Sequence, residues 1–270
     1  MAILLNNPSR AILINQEKDA KSSLGEKKSG VRDPMAEKPV ELSIWMHLDE
    51  LRKRLMHSLI AIVVGVVIAI IFAEFLLELL ARPIGGFDQL LSIQVTENFS
   101  AYFKVVLLGG FILALPFILL QFYLFISPGL TPKERRWVLL AVPFASVLFI
   151  VGAFFAYLVM LPTAIPFLTE FPGPMVLPKW NDYIKFITSL IFWIGLSFET
   201  PLIMFVMAKL GLVSAKGLLK SWRYAVVIIA IIAAVATPTP DPINMALLMV
   251  PLLFLYFLGI LLAAFARREK

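Results

Sequence analysis

Six apolar stretches divide the chain, each long enough or nearly long enough to cross a bilayer as a helix. They run Leu55–Ala73, Val105–Ile126, Trp137–Leu161, Phe186–Ala208, Tyr224–Ala236 and Met245–Ala266. The first is interrupted only by His57 and Ser58 and continues raggedly to Leu80. Ahead of it, Ile44, Leu48, Leu51 and Leu55 recur at i, i+4, i+7 and i+11, which is one face of an amphipathic helix leading straight into the apolar run. Roughly 20 residues span the ~30 Å hydrocarbon layer at ~1.5 Å per residue. The fifth stretch, at thirteen residues, is too short unless the bilayer thins around it. It ends in Thr237-Pro-Thr-Pro-Asp-Pro242, where three prolines remove three backbone donors and disfavour helix at the residues before them.

Composition agrees. Hydrophobic residues make up 60 % and charged residues 16 % of 270 positions, against about 45–50 % and about 25 % in soluble domains. The fold class is therefore an all-α polytopic membrane protein. Residues 1–42 contrast with the rest: Gln16–Pro39 is rich in Lys, Glu, Asp, Ser and Gly and reads as a disordered tail, with Met35 an alternative start. The apolar pieces Ile3–Leu5 and Ala11–Ile14 are too short for a secretory signal. Residues 43–266 form the membrane domain, and 267–270 a short basic tail.

No cysteine is present, which excludes disulfides and thiolate chemistry. The two histidines, His47 and His57, lie about 280° apart around a helix, so a histidine-based metal site is not expected. There is no Gly-rich phosphate loop and no Ser/His, His/Asp or metal cluster within the apolar stretches. The chain is read as a non-enzyme without cofactor, and its modest net charge of +6 does not suggest a nucleic-acid partner.

Charge sets the orientation. Arg52, Lys53 and Arg54 precede the first stretch; Lys133, Arg135 and Arg136 lie between the second and third. Lys209, Lys216, Lys220 and Arg223 lie between the fourth and fifth, and Arg267, Arg268 and Lys270 come after the sixth. The opposite side has Arg82 and Lys179, with Lys104 and Lys185 near segment ends. The positive-inside rule then places both termini in the cytoplasm. No internal repeat is visible.

Few polar residues remain to carry chemistry. Glu199 sits mid-segment in Gly195-Leu-Ser-Phe-Glu199-Thr-Pro201; a carboxyl group at that depth faces protein, water or a partner. Pro201 frees the carbonyl of Ser197, so a protonated Glu199 bonded to that loosened backbone is the competing reading. Glu50 and Glu134 stand among basic residues. They read locally as an i, i+4 pair of Glu50 with Arg54 and as a helix-start acid at Glu134, or else as ligands for a cation. Asp241 reads as an N-cap, and Gln121 as an inter-helix hydrogen-bonding group.

Taken together these motifs resemble the TatC family, the multispanning receptor of the twin-arginine protein translocase. The resemblance rests on His47-Leu-Asp-Glu50-Leu-Arg52-Lys-Arg54-Leu55, Ala81-Arg-Pro83, Leu115-Pro116, Gln121 and Phe125-Ile-Ser-Pro-Gly-Leu. It continues through Glu134-Arg135-Arg136, the Glu199 motif and Thr237-Pro-Thr-Pro-Asp241. It implies six helices, short fifth and sixth ones, and a concave, glove-like shape. It implies that Glu50 and Glu134, with Phe125 and Arg52 beside them, receive the arginine pair of a signal peptide on folded cargo. Glu199, grouped with Gln121 and Pro201, would meet single-span partners of the TatA or TatB type. Pro83 and Asp241 would serve the outer loops. The tail before His47 is longer than usual, the Pro-rich turn carries one extra residue, and Met245 replaces a glutamine found in some relatives.

The leading expectation is a signal-peptide receptor in a bacterial or archaeal cytoplasmic (inner) membrane. It would self-associate, assemble with TatA/TatB-type partners and support export driven by the proton-motive force. The alternative is an ion- or proton-coupled small-solute transporter with Glu199 as relay, which would want further ionisable groups at depth.

Overall fold

The computed structural model describes residues 44–169, 178–237 and 242–268. Within them the chain is helical, relieved by short turns and one isolated backbone bridge between Leu91 and Lys179. In chain order the α-helices are α1 (Ile44–Ile71), α2 (Ala73–Ala81), α3 (Val95–Ile126), α4 (Pro132–Phe155), α5 (Leu161–Thr169), α6 (Trp180–Lys209), α7 (Ala215–Lys220), α8 (Trp222–Ala236) and α9 (Pro242–Arg268). Residues up to His47 and residues from Leu48 onward form separate units. Of the first, only the opening turn of α1 is described; the helical bundle belongs to the second.

Among the described residues, five stretches are long and apolar enough to span a membrane: Met46–Ile71, Val95–Gly129, Pro132–Pro166, Trp180–Lys209 and Met245–Ala266. The sixth apolar helix, α8, has only 15 residues. The expectation of a short fifth apolar helix holds, but the expected short sixth does not: α9 runs for 27 residues and carries Pro251 in its interior. Its apolar run continues unbroken to Ala266, and nothing in that run stops the helix after Pro251.

The helices begin earlier than the apolar stretches because polar turns are annexed at their starts. A capping box at Thr131 and Glu134 lets α4 start at Pro132. The apolar run of α1 breaks at Phe72, which leaves helical geometry (φ −101°, ψ 9°), so α2 is a separate rod. α4 passes through a π-helical turn, Ala156–Met160, before α5. Pro162 comes just after that turn; its ring would clash with the carbonyl of Leu158, and widening the backbone there accommodates it.

α6 is the hub, packing against α9, α4 and α3. Ile184, Ile187, Leu190 and Ile194 along it are almost wholly enclosed. α1 is the opposite case: far less of its apolar part is buried than of that of α6, and Leu55, Leu59, Val63 and Val67 point outward. An exposed apolar face of this kind suits lipid or another helix in a membrane. Where helices do touch, small residues let backbones approach. A Cβ at Gly110 of α3 would lie 2.6 Å from the Val66 nitrogen of α1, and one at Gly259 of α9 would lie 3.2 Å from Pro201 Cα of α6.

Candidate functional site

Contacts between helix ends define two faces of the bundle. At one, Arg54 of α1 reaches Gln121 of α3, Arg135 of α4 donates to the Tyr123 hydroxyl of α3 (3.2 Å), and Lys209 of α6 lies 4.7 Å above the Trp137 ring of α4. Basic residues gather here, so this is the basic end. At the other, Lys104 of α3 donates to Ser100 (3.1 Å) and to Asn181 of α6. The hydroxyls of Tyr157 and Tyr183 donate to the carbonyls of Leu79 and Leu80 at 2.8 and 3.0 Å. Backbone bonds from Leu91 to Pro178 and from Trp180 to Leu91 join the two long loops.

The basic end carries the two glutamates singled out by the sequence. Glu50 Oε1 accepts from Arg54 Nη2 at 3.3 Å, one helical turn away. The same guanidinium donates through Nη1 to the Gln121 side-chain oxygen at 3.4 Å. Glu134 serves α4 in both directions. Its Oε2 accepts from the Thr131 backbone nitrogen (2.9 Å) and hydroxyl (2.8 Å), while its own nitrogen donates to that hydroxyl (3.4 Å). The local readings of both residues are thus present in the structure, and neither removes a carboxylate from the rim: both stay part-exposed. Phe125 is half-buried one turn beyond Gln121, and Arg52 is exposed.

Gln121, which the resemblance groups with Glu199 and Pro201, lies instead at the basic end. It is bonded there to Arg54, because its position near the end of α3 places it level with the start of the antiparallel α1. Glu199 sits mid-way along α6, 4 % exposed, and its Oε1 has no hydrogen-bond partner among the described residues. The nearby Ser197 hydroxyl does not serve it, donating instead to the Trp193 carbonyl at 2.7 Å. Pro201 is buried against Gly259, so α9 comes close to α6 two residues from the glutamate.

Pro83 belongs to the opposite end. It forms the 3-10 turn Arg82–Ile84, which Gly85 (φ 98°) and Gly86 (φ 105°) close in a left-handed conformation that suits glycine. Asp241 and the tail before residue 44 lie outside the described residues. Two cross-helix links escape the sequence, Arg54 to Gln121 and Lys104 to Asn181, because 67 and 77 positions separate the partners.

Five helical spans long and apolar enough to cross a bilayer, among the described residues, define the class: a polytopic membrane protein. A family model described as Sec-independent protein translocase protein (TatC) matches residues 46–251. The TatC of Carboxydothermus hydrogenoformans is 37 % identical over 239 residues, covering 87 % of this chain and 98 % of that protein. The TatC of Deinococcus radiodurans is 39 % identical over 237 residues, covering 83 % and 88 %. Among solved structures, a crystal structure of the twin-arginine translocase receptor TatC superposes with a TM-score of 0.73 at 36 % identity, covering 82 % of this chain and 99 % of that one. The chain belongs to the TatC family. It is a protein-translocase component of the membrane rather than an enzyme, and the small-solute transporter reading is not favoured.

Proposed function

We propose that this protein is the receptor subunit of a twin-arginine translocase. On this reading Glu50 and Glu134 receive the arginine pair of a signal peptide at the basic end. The observation that carries it is that the Glu50 carboxylate already holds a guanidinium, that of Arg54, on a part-exposed rim. A planar guanidinium matches a carboxylate through two parallel bonds, which a lysine ammonium cannot reproduce. Phe125, half-buried beside the rim, supplies apolar surface for the residues after the pair, and Arg52 tunes the local charge.

The basic clusters support placing this end, and both termini, in the cytoplasm of a bacterial or archaeal cell with the protein in its inner membrane. Residues 1–42 are then a cytoplasmic tail, and Pro83 and Asp241 shape the outer loops. The unpaired oxygen of Glu199 supports a docking point for a polar group on a TatA/TatB-type single-span helix, since a buried acceptor without a partner costs about 1–3 kcal/mol. Export of folded cargo would draw on the proton-motive force.

The test is capture of the detergent-solubilised protein on an immobilised twin-Arg signal peptide, beside its Lys-Lys version. Capture by the first, weak capture by the second and loss of both in Glu50→Ala is the expected result. Equal capture by the two peptides, unaffected by Glu50→Ala, overturns the reading.

A further inference from the structure

Arg54 occupies the place the proposed ligand would take, and we infer that it is the specificity-determining residue of the rim, an internal guanidinium that a fork-shaped ligand displaces and a point charge does not. This rests on the reading of Glu50 as a guanidinium site. The hold of Arg54 on Glu50 is single-pronged and long, Nη2 to Oε1 at 3.3 Å, where charge-assisted bonds usually measure about 2.7–2.9 Å. The second arm goes to a neutral acceptor, Gln121 Oε1, at 3.4 Å. Nε is buried and has no acceptor among the described residues. The guanidinium is therefore anchored on two helices and under-satisfied on each side.

An arriving arginine offers Glu50 two parallel bonds in exchange for one, and Arg54 yields while Gln121 retains it. An arriving lysine offers no fork. Its single bond does not displace Arg54 from Glu50, so it must share the carboxylate with a cation at bonding distance, and like charges repel there. The two bonds of an arginine outweigh the weaker repulsion left once Arg54 has moved off. Discrimination thus comes from a resident competitor that penalises the wrong ligand, besides the better fit of the right one.

Twin-Arg and twin-Lys peptides are titrated against the full-length protein in nanodiscs, as wild type, Arg54→Met, Arg54→Lys and Glu50→Ala. Arg54→Met keeps the apolar stem and removes the competitor. It should tighten twin-Lys binding about three- to fivefold, the scale of a part-exposed ion pair, and twin-Arg binding by less than about twofold, so that the affinity ratio narrows. Arg54→Lys should narrow it in the same direction by less, and it stands in if the methionine variant does not fold. An unchanged or wider ratio, including a parallel loss for both peptides, overturns the role of Arg54. If Glu50→Ala binds twin-Arg peptide as wild type does, the reading of Glu50 itself fails. If Glu50→Ala weakens binding while both Arg54 variants keep the ratio, only the Arg54 inference fails.

Discussion

The carboxylates of the basic end and the carboxylate of Glu199 live under opposite conditions. Glu50 and Glu134 are part-exposed and partnered, one by Arg54 and the other by the Thr131 cap. Glu199 is enclosed, and one of its oxygens has no hydrogen-bond partner among the described residues. Partners at the rim are exchangeable, since water and arriving ligands can replace a weak bond at little cost. A buried acceptor gains only when another group is inserted beside it. Under the proposed function, the rim carries recognition of a soluble ligand and Glu199 carries assembly within the bilayer.

Replacing Glu199 by alanine breaks the comparison most severely if it fails. Co-purification with single-span partners, and export, should be abolished while affinity for a twin-Arg peptide stays unchanged; a parallel loss of peptide binding would merge the two regions into one site. The same residue yields a prediction of opposite sign for stability. Glu199→Met removes an unsatisfied buried acceptor and should raise unfolding free energy by about 1–3 kcal/mol, read as a higher thermal midpoint in detergent. A lower midpoint would mean that the carboxyl group has a hydrogen-bond partner after all.

At the rim, Glu134 has two duties that different substitutions separate. Alanine should remove the capping box and cost about 1 kcal/mol, whereas glutamine keeps the reciprocal bonds and the midpoint. Both should weaken peptide binding, so the glutamine variant isolates charge from fold. Tyr123→Phe, the mildest change, removes the acceptor that Arg135 uses. It should cost no more than about 1 kcal/mol and leave peptide affinity intact, because that contact braces α4 on α3 without touching either glutamate.

Much of this arrangement is legible along the chain. Apolar runs locate the spans, the 13-residue run announces the shortness of α8, and i, i+4 spacing pairs Glu50 with Arg54. What escapes is set by distance and by backbone detail. Gln121 reads along the chain as an inter-helix hydrogen-bonding group grouped with Glu199, since only the antiparallel stacking of α1 on α3 decides which polar group is level with it. Helix starts at Val95 and Trp180 precede their apolar runs because polar turns such as Asn181–Asp182 join the helix without apolar signal. The length of α9 is legible in the apolar run Met245–Ala266, and it departs only from the short sixth helix that the resemblance implies. The unpaired state of the Glu199 oxygen depends on where neighbouring hydroxyls point, which no spacing encodes.

The most direct test removes charge and nothing else. Glu50→Gln/Glu134→Gln keeps side-chain size and the α4 cap, and Glu199→Gln does the same in the bilayer; each is titrated with a labelled twin-Arg peptide in nanodiscs. The rim double variant should lose binding by at least about tenfold, the value of one charge-assisted hydrogen bond, with its thermal midpoint unchanged, and Glu199→Gln should bind as wild type does. Full binding by the double variant, or equal loss in Glu199→Gln, would contradict the account.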